Sequence, residues 1–183
     1  MKIKSMETQT IVQKGFCQKC LGQGKNTAVI PPVKYILTSF IASFLGILAI
    51  SYVALEAQLF ALFPPLGASA VLLYGAPSAL FSQPRNLLGG HLIAALVGVI
   101  IHRVLGINVV SIALAVSLAI VIMLTTKTTH PPAGATALLG VAASEGSFLW
   151  PFIPVAISVL ILLLVALIVN NLDNNRSYPE FWY

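Results

Sequence analysis

The sequence predicts an all-α membrane protein with four transmembrane helices and two shorter, proline-initiated half-helices. Of its 183 residues, 58% are hydrophobic and only 8% are charged, a composition far from that of a soluble domain. Four apolar stretches approach the length of about 20 residues that a helix needs to cross the hydrocarbon core. A proline-rich decapeptide occurs twice, at 64–73 and 131–140, which predicts an internal duplication.

Residues 1–33 are predicted to form a polar, cytoplasmic N-terminal tail. Six lysines lie between Lys2 and Lys34, and only four basic residues follow in the remaining chain. Because cytoplasmic flanks of membrane proteins are rich in Lys and Arg, the net charge of +5 indicates topology and not nucleic-acid binding. The tail lacks the apolar core of a secretory signal and resembles no transit peptide, which favours a bacterial inner membrane.

The transmembrane domain is predicted at 34–170, and a C-terminal tail at 171–183. Its four spans are expected at Tyr35 to about Ala61, Leu87–Ile101, Val109–Leu124 and Leu149–Val169. The second and third are short and need flanking residues such as Asn86, His102 and Thr125 to complete the crossing. Half-helices at 66–81 and from 133 to about 144 are expected to dip into the membrane and return.

Each half-helix opens with the duplicated motif, in which Pro64-Pro65-Leu66-Gly67 corresponds to Pro131-Pro132-Ala133-Gly134. A double proline ends one helix and starts another, because it fixes φ and removes backbone donors. Pro84 and Pro151 keep the same 67-residue offset, so repeat 1 spans about 34–105 and repeat 2 about 108–170. Two crossings and a returning half-helix bring the chain back to its starting side, which favours parallel over inverted repeats.

This count of crossings also predicts where the charged segments lie. The connection at 102–108 and the Asn-rich tail with Arg176 fall on the cytoplasmic side with the N-terminus. Four charged residues are then expected toward the opposite half of the membrane, namely Glu56, Arg85, Lys127 and Glu145.

The two breaks are the predicted binding site, and the predicted ligand is a small anion. Each break brings a helix N-terminus into the membrane, with free N–H groups and about half a positive charge of helix dipole. Gly67 and Gly134 leave the backbone open to close approach. Ser69 and Thr136 lie at equivalent positions, where a hydroxyl either donates to a solute oxygen or bonds a preceding carbonyl.

Charged and titratable residues flank these breaks. Lys127, among four threonines, lines a polar vestibule or else extends to the membrane interface. Arg85, followed by Asn86, draws anions toward the breaks or fixes the depth of the second span. Glu56 is expected to pair with Arg85 or Lys127, or to couple a proton. His130 either titrates near neutral pH or stays neutral and caps the break.

Other motifs are interpreted as structural. Cys17 and Cys20 form a CxxC without a second ligand pair, so free thiols are expected, and a zinc site shared between subunits is the alternative. His91 is expected to hydrogen-bond between helices, beside closely packed Gly90 and Gly98. Nothing resembles a catalytic arrangement or a cofactor site, so neither an enzyme nor a cofactor is predicted. Four spans make a thin wall for a solute path, which favours a homo-oligomer.

The segment Thr129-His130-Pro131-Pro132-Ala133-Gly134-Ala135-Thr136-Ala137, with 83–86 and 89–91, resembles the HPP family of integral membrane proteins over roughly 33–170. The resemblance implies a four-span membrane domain. It also implies transport of nitrite or a similarly small anion, since plastid members of the family are associated with nitrite transport. The alternatives are a membrane anchor or sensor module with a cytoplasmic partner, and a channel for a small neutral solute or cation.

Overall fold

The computed structural model describes residues 29–56 and 63–183, so the predicted tail motif of Cys17 and Cys20 lies outside the described residues. Within Pro32–Tyr183, one compact unit, the described chain forms six α-helices and no strands. They are α1 (Val33–Glu56), α2 (Phe63–Ala70), α3 (Pro84–Leu105), α4 (Val109–Thr126), α5 (Ala133–Ala142) and α6 (Ile157–Leu172). Short π-helical segments extend α2 through Val71–Gly75 and precede α6 at Pro151–Ala156, and a 3-10 turn at Leu80–Ser82 leads into α3.

The four predicted spans are confirmed as helices long and apolar enough to cross a membrane. They are Val33–Glu56, Pro84–Leu105, Val109–Thr126 and Pro151–Leu172. The second reaches 22 residues because the flanking Asn86 and His102 are helical, as expected, and the third includes Thr125. At about 1.5 Å per residue this is enough to cross the hydrocarbon core.

A tight connection joins α3 to α4. Gly106 ends α3 with a φ of 66°, a conformation that glycine adopts without steric cost. Asn108 then starts α4 with a capping box, in which its side chain accepts from the Ser111 N–H at 2.9 Å and the Ser111 hydroxyl accepts from the Asn108 N–H at 2.9 Å. Two consecutive spans therefore run antiparallel with only three residues between them.

One end of the bundle, here called the tail end, carries the C-terminal tail. The Tyr35 hydroxyl, at the start of α1, donates to the Gly75 carbonyl at 3.0 Å. The Tyr178 hydroxyl, in the C-terminal tail, donates to the Ser82 carbonyl just before α3, at 2.8 Å. Arg85, at the start of α3, donates to the carbonyl of Thr126 at 2.9 Å. The starts of α1 and α3, the end of the α2 extension and the ends of α4 and α6 therefore meet here.

The opposite end, called the loop end, carries the connection between α3 and α4. His102, in the last turn of α3, lies with Nδ1 2.6 Å from the Val141 carbonyl. Arg103 donates to the Gly146 carbonyl. The last turn of α5 and the loop that follows it therefore lie at the loop end. The start of α5 lies deeper in the bundle, because a Cβ on Gly90 would be 2.6 Å from His130 Cβ.

These contacts correct the predicted return of the half-helices. The chain leaves α4 at the tail end and leaves α5 at the loop end, so the segment 127–142 passes through the bundle. The 24 residues of α1 carry the chain about 36 Å from the tail end, and by Gly75, at the end of the α2 extension, the chain is at the tail end again. The prediction failed because it expected each half-helix to return, whereas the residues between α4 and α5 and α5 itself together carry the chain from the tail end to the loop end.

The direction of each half is therefore opposite to that of the other. Helices α1, α2 and α3 run toward the loop end, the tail end and the loop end, and α4, α5 and α6 run the other way. This is the arrangement of an inverted repeat, and the preference for parallel repeats was wrong. When positions 64–73 are aligned with 131–140, each residue has the same class of burial as its counterpart: buried, half-buried or exposed. That agreement supports an internal duplication, which stays a prediction.

The same directions correct the expected placement of charges. The connection at 102–108 lies at the loop end, whereas Arg176 lies at the tail end. Glu56 ends α1 toward the loop end, and Glu145 precedes Gly146 there, while Arg85 and Lys127 lie at the tail end. The expected pairing of Glu56 with Arg85 or Lys127 is therefore wrong, because the two ends are about a membrane thickness apart.

Candidate functional site

Two histidines lie side by side inside the bundle. His91 belongs to the third turn of α3, and His130 immediately precedes the second double proline. Their side chains are buried, with 1% and 0% of the residue surface exposed. The ring centroids are 4.9 Å apart.

The duplicated hydroxyl residues converge on this pair. Ser69, from α2, places Oγ 2.8 Å from His91 Nε2 and 2.9 Å from His130 Nε2. Thr136, at the equivalent position of α5, places Oγ1 2.8 Å from His91 Nδ1. Both proline-initiated helices therefore contact the same imidazole, and we call Ser69, His91, His130 and Thr136 the histidine network.

Two backbone carbonyls complete the contacts of the histidine network. His130 Nδ1 lies 2.7 Å from the Phe81 carbonyl, and the Ser69 hydroxyl lies 2.9 Å from the Pro65 carbonyl. A carbonyl only accepts, so His130 carries a proton on Nδ1. His91 makes the interhelical bonds that were expected, and Ser69 makes both an intrahelical and an interhelical contact. His130 bonds a backbone carbonyl, which leaves both expectations for it, titration near neutral pH and a neutral cap, as predictions.

The first turn of α5 does not present the free N–H groups that were expected. The amides of Ala133, Gly134 and Ala135 bond the carbonyls of residues 130, 131 and 132 at 2.9, 3.1 and 3.1 Å. The expectation is wrong for this break because the chain turns tightly there, and each amide reaches the carbonyl three residues earlier. These three amides are therefore already hydrogen-bonded within the chain.

Gly67 and Gly134 are open, as predicted. A Cβ on either glycine would meet no atom of another described element within 4 Å, so these elements leave the backbone of both proline-initiated helices uncovered at this point. Gly67 lines a cleft of about 430 Å³ between α1 and α2, together with Ser43, Ala70 and Tyr74. The cleft brings accessible space beside the helix that carries Ser69.

The other predicted site residues gather at the tail end, outside the histidine network. Asn86 is buried and donates to the Thr129 carbonyl at 2.8 Å, while its Oδ1 has no hydrogen-bond partner among the described residues. Arg85 is half-buried, and its guanidinium binds a terminal carbonyl of α4, where the helix dipole is negative. Lys127 caps α4 with a φ of 58° and is exposed.

The sequence interpretation missed a second polar cluster, around Arg176. This guanidinium donates to the carbonyls of Tyr35 and Tyr74 at 2.6 and 3.1 Å, to Ser39 Oγ at 2.7 Å and to Asn170 Oδ1 at 2.9 Å. It also lies 3.6 Å from the centroid of the Tyr35 ring. The sequence did contain a signal for this cluster: Asp173 and Arg176 lie three residues apart, directly after an apolar span.

Asp173 extends this cluster to α1. Its Oδ1 lies 2.9 Å from Lys34 Nζ, and its Oδ2 accepts from the Thr38 hydroxyl at 3.1 Å. The hydrogen bond from Lys34 is the main cause that lowers the pKa of Asp173 to about 2. The carboxylate therefore favours the folded state wherever it is ionised.

Acid is expected to remove the stabilisation that the ionised Asp173 carboxylate gives to the folded state, over a defined range of pH. The unfolded pKa of an aspartate is about 3.9, so the contribution is complete above that pH and is lost as pH falls toward 2. Thermal unfolding in detergent between about pH 6 and pH 2.5 measures it. Asp173→Asn should flatten the dependence, whereas the matched Glu145→Gln should not. Equal curves for wild type and Asp173→Asn would contradict this assignment.

Apolar spans, two proline-initiated helices and a buried polar network between them define an integral membrane protein built on interrupted helices. Residues 28–179 match the family model described as HPP, transmembrane region. The chain belongs to the HPP family.

Two curated transmembrane proteins of Dictyostelium discoideum are similar to it. One is 41% identical over 180 residues, which cover 92% of this chain and 63% of the relative. The other is 44% identical over 171 residues, which cover 87% of this chain and 55% of the relative. The chain thus spans little more than half of these relatives. No solved structure matches it.

These matches confirm an integral membrane protein. The bacterial inner membrane, the cytoplasmic side of the termini and the homo-oligomer stay predictions.

Proposed function

We propose that this chain is a transporter of small inorganic anions, with nitrite as the first candidate, and that the solute binds beside the histidine network. One observation carries the proposal: Ser69 and Thr136, at equivalent positions of two interrupted helices, contact the same buried histidine. Transporters with inverted repeats typically bind their substrate where interrupted helices meet.

Charge favours an anion over a cation. Among the described residues, all carboxylates lie at the ends of helices or in the C-terminal tail, namely Glu56, Glu145, Asp173 and Glu180. The groups near the breaks are hydroxyls and imidazoles, and Arg85 and Lys127 add positive charge at the tail end. A cation path would require an acceptor-rich interior, and Asn86 Oδ1 is the single buried side-chain oxygen without a partner in the described part of the chain.

Flux into liposomes is the direct test. Thr136→Val removes the hydroxyl that contacts His91 and keeps the side-chain shape, so nitrite flux should fall about tenfold, which corresponds to the loss of one buried hydrogen bond. Thr125→Val is the matched control, because the Thr125 hydroxyl is exposed and bonds only carbonyls of its own helix. Its flux should stay within about twofold of wild type.

Other outcomes separate the alternatives. Wild-type protein that moves none of nitrite, nitrate and formate would contradict the proposal, and flux of ammonium alone would support a cation channel. Normal nitrite flux in folded Thr136→Val would place the path elsewhere. Lys127→Met tests the charge assignment separately: an unaltered rate would remove Lys127 from the path.

A further inference from the structure

We propose that the histidine network binds one proton beyond those of two neutral imidazoles, and that this proton completes the hydrogen bonds of Ser69. The inference extends the proposed function, because a proton bound here provides the charge that an anion would pair with. The proton site itself does not depend on which solute is transported.

The count of hydrogen bonds carries the proposal. Five short contacts of 2.7 to 2.9 Å link the histidine network to itself and to the carbonyls of Phe81 and Pro65. Each needs one proton. Two neutral imidazoles and two hydroxyls supply only four. One contact would then bring two lone pairs together, which costs free energy in a buried site.

The bonding partners also locate the extra proton. His130 already donates through Nδ1 to a carbonyl, so protonation of Nε2 lets it donate to Ser69 as well. Ser69 then accepts from both histidines and donates its own proton to the Pro65 carbonyl. His91 remains neutral with its proton on Nε2, and its Nδ1 accepts from Thr136. A proton placed on His91 instead would leave one contact unfilled.

Among the described residues, no carboxylate lies beside the network to balance the resulting charge. Helices α2, α4 and α5 contribute no acidic or basic side chain. On α3 the ionisable groups besides His91 are Arg85 at the tail end and His102 and Arg103 at the loop end, and Lys127 precedes the break. All of these are basic or neutral, so a protonated network is a buried cation that an anion would stabilise.

Proton and anion are therefore expected to favour each other's binding, by the same factor in both directions. In transport terms this is cotransport of one proton with one monovalent anion. Here the inference rests on the proposed function.

The test is ¹⁵N NMR of histidine-labelled protein in lipid nanodiscs, titrated from about pH 4.5 to about pH 8.5. The chain has three histidines. His102→Gln, away from the network, removes the third signal, and Thr136→Val then identifies His91, which Thr136 contacts. One imidazolium should form at His130, while His91 stays neutral with its proton on Nε2. No protonation of either residue, or protonation of both, would overturn the proposal.

Two variants test whether the Ser69 oxygen links the two histidines by hydrogen bonds or only packs beside them. Ser69→Ala removes the shared oxygen and should lower the midpoint of His130 protonation by about one pH unit or more, the scale of a lost hydrogen bond. Within the network Thr136 contacts His91, so Thr136→Val should leave the midpoint of His130 protonation unchanged and should change the His91 spectrum. An unchanged midpoint of His130 protonation in folded Ser69→Ala protein would contradict the hydrogen bond between His130 and Ser69.

Nitrite added during the titration distinguishes the proton site itself from its coupling to the anion. A midpoint that rises with nitrite supports coupling. A protonated His130 whose midpoint ignores nitrite contradicts coupling to that anion and leaves the proton site standing. Nitrite flux in liposomes without any protonation of the network would instead contradict this inference and leave the transporter standing.

Discussion

Replacing Arg176 with alanine is expected to lower the free energy of unfolding by about 3 to 5 kcal/mol, the usual cost of removing one partner from a buried ionic cluster. The Arg176 side chain is only 1% exposed, and its guanidinium lies at hydrogen-bond distance from four oxygens. Its removal leaves the carbonyls of Tyr35 and Tyr74 without this donor. It also leaves Asp173, whose Oδ2 lies 4.0 Å from Arg176 Nε, with Lys34 as its ion-pair partner. Denaturant unfolding in detergent micelles measures the change.

Arg103→Ala is the matched control. Arg103 is exposed, makes one hydrogen bond to a backbone carbonyl and lies 4.7 Å from the centroid of the Phe148 ring. Exposed contacts of this kind contribute about 1 kcal/mol or less. If the two alanine variants lose similar stability, the cluster around Arg176 does not hold the tail end together.

Gly98→Leu is expected to prevent folding altogether. Helices α3 and α5 cross with their backbones in contact, so a Cβ on Gly98 would lie 2.5 Å from the Ala137 carbonyl oxygen and 2.6 Å from Gly140 Cα. Backbone atoms cannot rotate aside as a flexible side chain can. Overpacking a core costs about 1 to 3 kcal/mol even where neighbours adjust, and a whole isobutyl group here has to separate the two helices.

Size-exclusion profiles and helix content in detergent provide the measurement. Gly75→Leu serves as the control, because Gly75 is exposed and a Cβ there would meet no neighbouring element within 4 Å in the described part of the chain. It should fold as wild type does. Well-folded Gly98→Leu protein of normal stability would mean that α3 and α5 do not touch in solution.

The spans were predictable because their signal is local. Twenty or so apolar residues suffice to indicate a crossing helix, and Pro64 and Pro131 mark helix starts by their own chemistry. The direction of α2 and α5 was not predictable in this way. It depends on where in the bundle each half-helix begins, and apolar composition carries no information about that depth.

The site was predictable in its residue types and not in its pairing. Ser69, Thr136 and His130 were singled out because the duplicated motif places them beside the breaks. Their meeting point on His91 depends on the rotation of α3 against two other helices, which no sequence spacing fixes. For the same reason Glu56 was paired with distant cations: charge sign indicates a suitable partner, but only the fold decides which end of the membrane each reaches.

The cluster at the tail end has a consequence for how the two halves separate. Arg176 comes from the second half of the chain, yet two of its bonds reach α1 and another reaches the α2 extension. Because one rigid planar group makes all of them, they cannot be released one at a time. Separation of Arg176 from α1 and the α2 extension is therefore expected to be cooperative. At the loop end, the contacts of His102 and Arg103 are separate and can break one at a time.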